Sequence, residues 1–380
     1  MSVRPIFSRL LAASALLSLA AAAQDAGWQA CSSMGQAADR LACFDRWAED
    51  QRGERAPPAS ALSLPAPIAG DASAVLPAPV PPGVVTGPWR NLRMTTLDGC
   101  HDTNYSSLSR YWELEPGADC GLFSIRGYRP LTLALVTANA MNRQPSSGNP
   151  LNNAPLPADY RHTETRLQLS VRTKVAQGLI RPLSPQGSDS LWVGYTQQSY
   201  WQLFNPQLSR PFRSTDHEPE VIYVVPLQGP KEGAWRLRHG GVGLVHQSNG
   251  QSLPYSRSWN RVYAMAGAER GPFQLLARAW HRLPEDAVDD DNPGISNYIG
   301  RAEVRGSWQA NPDNVFVATA RHSLRSPGRG SVRLEWLRAL GPDSGGLQLH
   351  TQLFTGFGDS LLDYNRKRTV LSVGFSLVEW

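Results

Sequence analysis

From about residue 120 this chain has a pattern of strands of roughly ten residues separated by turns, and in the clearest of them polar and apolar side chains alternate strictly. In residues 165–175, Leu167, Leu169 and Val171 point to one side, and the polar side chains of Arg166, Gln168, Ser170, Arg172 and Lys174 point to the other. Residues 302–308 and 347–357 repeat the pattern. Alternation over such lengths predicts half-buried strands. It leaves two architectures for the chain, a soluble β-sandwich or a membrane barrel.

Four features favour the membrane barrel. The predicted strands are long, their apolar faces are rarely interrupted, the chain is predicted to be exported, and its last strand closes on an aromatic residue, Trp380. Further aromatic residues lie near strand ends: Tyr195, Trp201, Trp259, Tyr263, Trp308 and Trp336. These are the marks of an outer-membrane barrel with a polar interior.

The fold class predicted is therefore all-β, a 12-stranded antiparallel transmembrane barrel, and twelve is an even number as a closed single-chain barrel needs. The connections 206–217, 249–256 and 284–296 are the longer ones and should include extracellular loops. The Gly240-Gly241 pair, where one strand changes parity, predicts a β-bulge. The candidate strands are 129–139, 164–176, 189–203, 218–227, 235–248, 257–269, 273–283, 297–309, 314–323, 330–339, 347–358 and 368–380.

The first 23 residues predict a secretory signal peptide. Arg4 and Arg9 precede an apolar run, Leu10 to Ala23. The run is too short to span a membrane as a mature helix, and it ends in small residues. No later window has 18 consecutive apolar residues, so a membrane protein made from this chain has to be a barrel. The domains expected are a signal peptide at 1–23, a periplasmic N-terminal segment with a Pro/Ala-rich linker at 24–92, and the barrel at 93–380.

Four cysteines in an exported chain predict two disulfides. Proximity along the chain favours Cys31–Cys43 and Cys100–Cys120, although four cysteines permit three connectivities. Residues 24–55 fit a short helical element, and the Pro-rich stretch 56–92 fits an extended linker. The net charge of +5 is mild and unclustered, so no nucleic-acid-binding surface is predicted.

One polar triplet stands out against the strand pattern. His246 and Ser248 are two apart and share a face, and Asn260 can join them if 242–248 and 258–266 pair. The three would supply a nucleophile, a base and a group that orients the base. Parity places them with Val242 and Leu244 on the lipid-facing side, near one rim of the barrel. Polar groups there are costly unless they have a function; the alternative is ordinary interfacial residues where strands leave the bilayer.

The chain resembles the outer membrane phospholipase A family of Gram-negative bacteria over about residues 121–380. The resemblance implies a calcium-dependent hydrolase of phospholipid acyl esters, with phospholipase A1, phospholipase A2 and lysophospholipase activity, in the outer membrane with its active site towards the outer leaflet. The motifs that carry it occur in one order: Tyr195-Thr-Gln-Gln-Ser-Tyr-Trp-Gln-Leu203, Ser209-Arg-Pro-Phe-Arg213, Glu218-Pro219, His246-x-Ser-Asn-Gly250, Ser256-Arg-Ser-Trp-Asn-Arg261, Asp290-Asp-Asn-Pro293 and Asp359-Ser-Leu-Leu-Asp-Tyr-Asn365.

The resemblance also implies roles for matching residues. Ser248 would be the nucleophile, His246 the general base and later acid, and Asn260 the residue that orients His246. Calcium, a hard cation, would be held by oxygen ligands. The implied ligands are the Ser256 hydroxyl, the Gln251 carbonyl and, from the second subunit of a reversible homodimer that is active as the dimer, the Ser209 carbonyl. Gln197 would lie in the dimer interface.

Two positions depart from the family. Gln251 stands where arginine is frequent, which is harmless if only its carbonyl binds the metal. Leu253 stands where an aspartate can occur, which weakens a second calcium site built with Asp291. We therefore expect one calcium per active site, and Asp291 is better explained as a solvated loop acid within 289–291 than as a ligand.

Two other functions are compatible with parts of the sequence. The strand pattern alone fits a non-catalytic barrel, either a pore or a structural protein. An esterase or lipase acting on other lipids is also compatible, because lipid-facing residues are generic.

Overall fold

The structure is a computed structural model that describes residues 31, 34–53, 99–180, 188–227, 234–341 and 346–377. The chain divides into two compact units, Met1–Val84 and Val85–Trp380. The predicted signal peptide and the predicted linker at 56–92 lie outside the described residues. Their boundaries therefore stay predictions.

The first unit contains one described helix, α1, which spans Ala37–Gly53. Cys43 lies in this helix and forms a disulfide with Cys31, with 5.4 Å between the two Cα atoms. The disulfide ties the residues that precede the helix to its second turn. Leu41 of the same helix is 64% exposed, so α1 has an apolar side chain on its surface.

Thirteen strands of the second unit, within the described residues, form one antiparallel sheet. The sheet closes because β3 pairs with both β2 and β4. Strands β1 and β2 lie along the same edge of β3, opposite 171–173 and 163–168, and together act as one barrel strand. The 12-stranded barrel is therefore confirmed. The strands are β1 (Ile125–Gly127), β2 (Leu131–Ala138), β3 (Thr163–Gln177), β4 (Ser190–Trp201), β5 (Ser214–Pro226), β6 (Arg236–Ser248), β7 (Ser258–Arg270), β8 (Phe273–Arg282), β9 (Ala302–Asn311), β10 (Asn314–His322), β11 (Gly330–Ala339), β12 (Leu347–Gly356) and β13 (Arg368–Leu377).

The outer surface of the barrel is apolar and its interior is charged. Outward residues such as Leu133, Leu244 and Leu371 are about half exposed, at 55%, 53% and 50%. Four outward aromatic rings, Phe273, Trp308, Phe316 and Trp336, stack in a row across β8–β11 with centroids 5.6–6.4 Å apart. A row of this kind is typical of the aromatic girdle at a membrane interface.

Ion pairs and hydrogen bonds line a cavity in the interior. Glu218 accepts from Arg129 at 2.5 Å and from Arg261 at 3.3 Å. Glu303 pairs with Arg321 at 2.7 Å on the far side of the lumen. Charges buried in a low-dielectric interior need such partners, and the inward face of the strands supplies both signs.

A short helix, α2 (Ser107–Trp112), closes one end of the lumen, and the sequence pattern did not predict it. The Ser106 side chain caps it by accepting from the Ser109 N–H. Trp112 is buried against Trp192 in an edge-to-face contact at 5.8 Å. The predicted Cys100–Cys120 disulfide forms and joins the residues on either side of α2. We call the segment from Cys100 to Cys120 the plug. Glu113 anchors the plug to the wall through Lys174 at 2.6 Å.

None of the helices among the described residues is long and apolar enough to cross a membrane.

The connections at the two ends of the barrel differ in length. At the plug end they are 178–189, 227–235, 271–272, 312–313 and 340–346. At the other end they are 139–162, 202–213, 249–257, 283–301, 323–329 and 357–367. Outer-membrane barrels place short turns in the periplasm and longer loops outside. The plug therefore marks the periplasmic end, and the loops predicted to be extracellular are at the opposite rim.

Three details differ from the strand prediction. The bulge lies at Arg238 between Leu237 and His239, not at the glycine pair, because Arg238 and His239 both turn into the lumen. Strand β9 begins at Ala302 rather than 297, because Ile295–Asn297 forms a 3-10 helix that buries Ile295. Strand β5 begins at Ser214, four residues before its predicted start, and continues through Pro219.

The glycines of β6 make a test of interior packing. A Cβ added at Gly243 would lie 2.3 Å from the Tyr263 ring, whereas at Gly240 the nearest atom, in Leu227, is 3.6 Å away. Tyr263 cannot easily yield, since it is buried and donates to Glu220 at 2.6 Å. We expect Gly243→Ala to lower the free energy of unfolding by about 1–3 kcal/mol.

The matched control, Gly240→Ala, should change it by no more than about 0.5 kcal/mol. Urea unfolding in detergent micelles, followed by tryptophan fluorescence, measures both. Equal effects of the two substitutions would contradict the packing described here.

Candidate active site

The pairing of β6 with β7 brings His246 and Asn260 together at the loop-bearing rim. The two residues are direct cross-strand partners. His246 Nδ1 lies 2.9 Å from Asn260 Oδ1. Because an amide oxygen only accepts, the bond places the imidazole proton on Nδ1 and leaves the Nε2 lone pair available.

Ser248 lies two residues beyond His246 on the same face of β6. Its cross-strand neighbours are Ser258 on β7 and His217 on β5. The face is the outer one, since Val242 and Leu244 on β6 are 52% and 53% exposed. The structure therefore places all three residues of the predicted triad on the outer wall, as parity predicted.

A tight loop, 249–257, follows Ser248 and is organised by Asn249. The Asn249 side chain accepts from the Arg257 N–H at 2.9 Å and donates to the Tyr255 carbonyl at 2.7 Å. Gly250 takes a left-handed conformation with φ +62°, which suits a residue without a Cβ. The loop is thereby held in one conformation beside Ser248.

Oxygen atoms from two loops meet next to this turn. The Ser256 hydroxyl donates to Asp291 Oδ2 at 2.6 Å, and the Ser258 hydroxyl lies 3.3 Å from the same atom. Asn152, fully buried, donates to Asp291 Oδ1 and to the Ser256 carbonyl, both at 3.0 Å. The interpretation of Asp291 as a solvated loop acid is therefore wrong, because its carboxylate is half-buried and bonded to three side chains.

Gln251 and Ser209, whose carbonyls are also predicted as calcium ligands, lie in loops 249–257 and 202–213. The Gln251 side chain donates to the Arg213 carbonyl at 3.0 Å and so links loop 249–257 to loop 202–213. The Ser209 carbonyl, in loop 202–213, accepts from the Trp201 indole at 2.8 Å. A carbonyl has two lone pairs, so that bond leaves Ser209 able to accept a second partner.

Comparison with known proteins identifies the family of this chain. The family model for phospholipase A1 matches residues 108–377. The chain belongs to the phospholipase A1 family. It is therefore an ester hydrolase, and its closed barrel is that of an outer-membrane phospholipase.

Curated relatives and solved structures agree with the family model. The chain is 35% identical over 276 residues to a candidate phospholipase A1 of Neisseria meningitidis, covering 71% of this chain and 69% of the relative. It is 34% identical over 217 residues to phospholipase A1 of Escherichia coli, covering 57% and 70%. The outer membrane phospholipase A structure from E. coli superposes with a TM-score of 0.58 at 29% identity, covering 68% of this chain and 99% of that one.

A second solved structure is the Salmonella typhi outer membrane phospholipase dimer with bound calcium. It gives the same TM-score of 0.58 and 29% identity, and the match covers 68% of this chain and 93% of that chain.

The outer wall of this phospholipase carries a polar stripe across β4 and β5. Gln197 lies at one end of the stripe. Its side-chain nitrogen donates to Ser199 at 3.2 Å, and its side-chain oxygen accepts from the Tyr195 hydroxyl at 3.2 Å. Tyr195 also lies 2.7 Å from His217 Nδ1. Thr215 donates to Ser199 at 3.1 Å. The stripe reaches Ser248 through His217, its cross-strand neighbour.

A buried cluster of ion pairs connects loops and strand ends at the loop-bearing rim of the phospholipase. Arg213 contacts Glu164 at 2.5 Å and Asp363 at 3.2 Å, and Arg368 also pairs with Asp363. Burial alone would raise the pKa of Asp363, but Arg213 and Arg368 hold it at about 2. The carboxylate stays ionised in neutral solution, so loops 202–213 and 357–367 stay joined to each other and to β3 and β13.

Two residues near the site were missed by the sequence analysis. His217 faces Ser248 from β5, and the Asn260 amide donates to Glu285 Oε1 at 3.2 Å. Glu285 lies in the loop 283–301, where the sequence has no periodicity that could direct its side chain. His217 follows the outward parity of β5, which could have been recognised had β5 been extended to Ser214.

Proposed function

We propose that this chain hydrolyses acyl ester bonds of phospholipids in the outer leaflet, with calcium and as a homodimer. The activities proposed are phospholipase A1, phospholipase A2 and lysophospholipase. The observation that carries the proposal is the hydrogen bond between His246 and Asn260 on a lipid-facing wall, next to Ser248. Polar groups at such a position are expensive, so they are kept for a function.

In the mechanism proposed, Ser248 is the nucleophile and His246 the base. Asn260 keeps the proton on Nδ1, so Nε2 can take the Ser248 proton as the hydroxyl attacks the ester carbonyl. The same nitrogen then returns the proton to the leaving alcohol oxygen. A water molecule repeats the sequence on the acyl-enzyme and regenerates Ser248.

Substrate reaches this site sideways from the membrane. Val242, Leu244 and Val262 lie below the triad on the outer wall and are 42–53% exposed. They offer an apolar surface to an acyl chain while the ester and the headgroup remain at the rim, level with the loops. The loop-bearing end is the outer one, which is the reason for assigning the outer leaflet.

The residues at the rim fit a calcium ion. Ser256 and Asp291 bring two oxygen atoms within 2.6 Å of each other, and a hard cation prefers such ligands. Together with the Gln251 carbonyl they would hold one calcium per active site. A bound calcium would supply positive charge near the developing oxyanion. The calcium-bound Salmonella relative supports this assignment.

Dimerisation completes the site in this proposal. The polar stripe at Gln197 lies on the outer wall, where lipid offers no hydrogen bonds and a partner subunit does. The Ser209 carbonyl is the ligand that each subunit would contribute to the calcium of the other. The Salmonella relative is a dimer.

The alternative function, a non-catalytic pore, is disfavoured by the structure of the lumen. Ion pairs such as Glu218 with Arg129 and Glu303 with Arg321 project into the luminal cavity, and α2 closes the periplasmic end of that cavity. A conducting barrel needs a water-filled channel instead.

The activity is tested by fatty-acid release from phospholipid micelles. We expect release in the presence of calcium and its loss on chelation. Ser248→Ala should lower the rate by on the order of 10³-fold or more, because the nucleophile is gone. Ser331→Ala, on the opposite side of the barrel, is the matched control and should leave the rate unchanged. Activity that survives either chelation or Ser248→Ala refutes the proposal.

The metal site is tested separately by calcium binding. Asp291→Asn removes a carboxylate beside Ser256 and should raise the calcium concentration for half-maximal activity at least about tenfold. Calcium titration by calorimetry should show the same loss of affinity. Asp289→Asn, an exposed neighbour in the same loop, is the control. Equal calcium affinities for the two variants would exclude Asp291 as a ligand.

A further inference from the structure

The hydrogen bonds at the triad do not end at Asn260. His246 Nδ1 contacts Asn260 Oδ1 at 2.9 Å, and Asn260 Nδ2 donates to Glu285 Oε1 at 3.2 Å. The amide is thus held at both ends, with its oxygen towards the imidazole and its nitrogen towards a carboxylate. A carboxylate only accepts, so Glu285 fixes which way the amide points.

Glu285 is itself held in place by its own loop. Arg282 donates to Glu285 Oε2 at 3.0 Å and to Asp290 Oδ1 at 2.7 Å. The Leu283 N–H donates to the Asn260 carbonyl at 2.8 Å, which pins the start of the loop to β7. The side chains of Glu285 and Arg282 are only 17% and 15% exposed. The carboxylate is therefore positioned before substrate arrives.

The charges around this chain of contacts sum to a negative value. Arg282 carries one positive charge and is shared between two carboxylates, Glu285 and Asp290, which leaves one net negative charge behind Asn260. A neutral asparagine cannot stabilise an imidazolium by full charge, as an aspartate does in a serine protease. A carboxylate one hydrogen bond further back can do so through the polarised amide.

We propose that Glu285 is a positioning residue for the triad. It fixes the Asn260 amide and supplies the negative charge that stabilises protonated His246 during the reaction. This inference rests on the proposed function, because it needs His246 to act as the base. Glu285 contacts neither substrate nor the reacting atoms, and acts through Asn260.

Other titratable groups lie on the strands and loops near His246. His217 on β5 is the cross-strand partner of Ser248, and His281 lies on the outward face of β8, opposite Val262. The loop acids Asp290 and Asp291 are engaged by Arg282 and Ser256. Glu285 is the carboxylate that bonds the Asn260 amide, so its removal should act on His246 in a way that removal of another loop charge does not.

Two substitutions separate charge from geometry. Glu285→Gln keeps an oxygen that can accept from Asn260 but loses the charge, whereas Glu285→Ala loses both. Asp286→Asn removes one charge from the same loop at an exposed position and is the matched control. All are made in the full-length protein and assayed in phospholipid micelles with saturating calcium. The mobility of unheated samples in SDS gel electrophoresis confirms that each barrel is folded.

We expect Glu285→Gln to lower kcat about tenfold with KM within about twofold, and Glu285→Ala to lower it further. The acidic limb of the pH–rate profile should move down by about half a pH unit in Glu285→Gln, because the imidazolium loses a stabilising charge. Asp286→Asn should leave kcat and the profile unchanged. A wild-type kcat and profile in Glu285→Gln, or a shift equal to that of Asp286→Asn, overturns the proposal.

A second measurement is independent of turnover. The His246 ring titration, followed by NMR in the Ser248→Ala background with labelled histidine, should have a lower midpoint when Glu285 is also Gln. An unchanged midpoint overturns the proposal for Glu285. Failure of the proposed function is recognised differently, as the absence of Ser248-dependent hydrolysis in the otherwise unaltered chain.

Discussion

Lipid cannot hydrogen-bond a peptide group, and the rest of the structure depends on this constraint. Each backbone N–H and C=O inside a bilayer needs a partner within the chain. The pairing of β3 with β4 provides it by closing the sheet, so among the described residues no strand edge faces the membrane unpaired. Closure then forces a two-sided wall, with apolar residues outward and charges such as Glu218 and Arg261 inward.

The residues of the proposed triad are an exception on that wall. His246, Ser248 and Asn260 break the apolar face just where β6 and β7 leave the bilayer, so they can meet an ester at the membrane surface. Their geometry depends on groups behind them. Loop 283–301 brings Glu285 to Asn260 and Asp291 to Ser256, so one loop contacts both the proposed triad and the proposed calcium ligands.

The strands and the outward position of His246, Ser248 and Asn260 could be predicted from the sequence, because both follow from a two-residue period. Alternation sets which side each residue faces, and cross-strand pairing then joins His246 to Asn260. The plug helix α2 escaped prediction because its six residues are too few to show a helical period. The bulge in β6 was predicted from the change of parity, but the glycine pair drew it to Gly240-Gly241, whereas the register shifts between Leu237 and His239.

Contacts between loops were beyond sequence reasoning for a different reason. Asn152 and Asp291 are separated by 139 residues, yet the amide and carboxylate meet at 3.0 Å. Nothing in the local sequence of either loop indicates the other. The sequence therefore predicts a solvated Asp291 and gives no signal for Glu285. The buried ion cluster at Arg213 was missed in the same way, because it joins β3 to two loops.

We propose that Ser248 is a nucleophile that meets its substrate from the lipid side. Covalent labelling with alkyl phosphonate esters, followed by mass spectrometry of the digested protein, is the decisive experiment. We expect a single adduct on the Ser248 peptide, formed faster with a long-chain, micelle-bound reagent than with a short, water-soluble one, and absent in His246→Ala. An adduct on another residue, or equal rates for the two reagents, would contradict it.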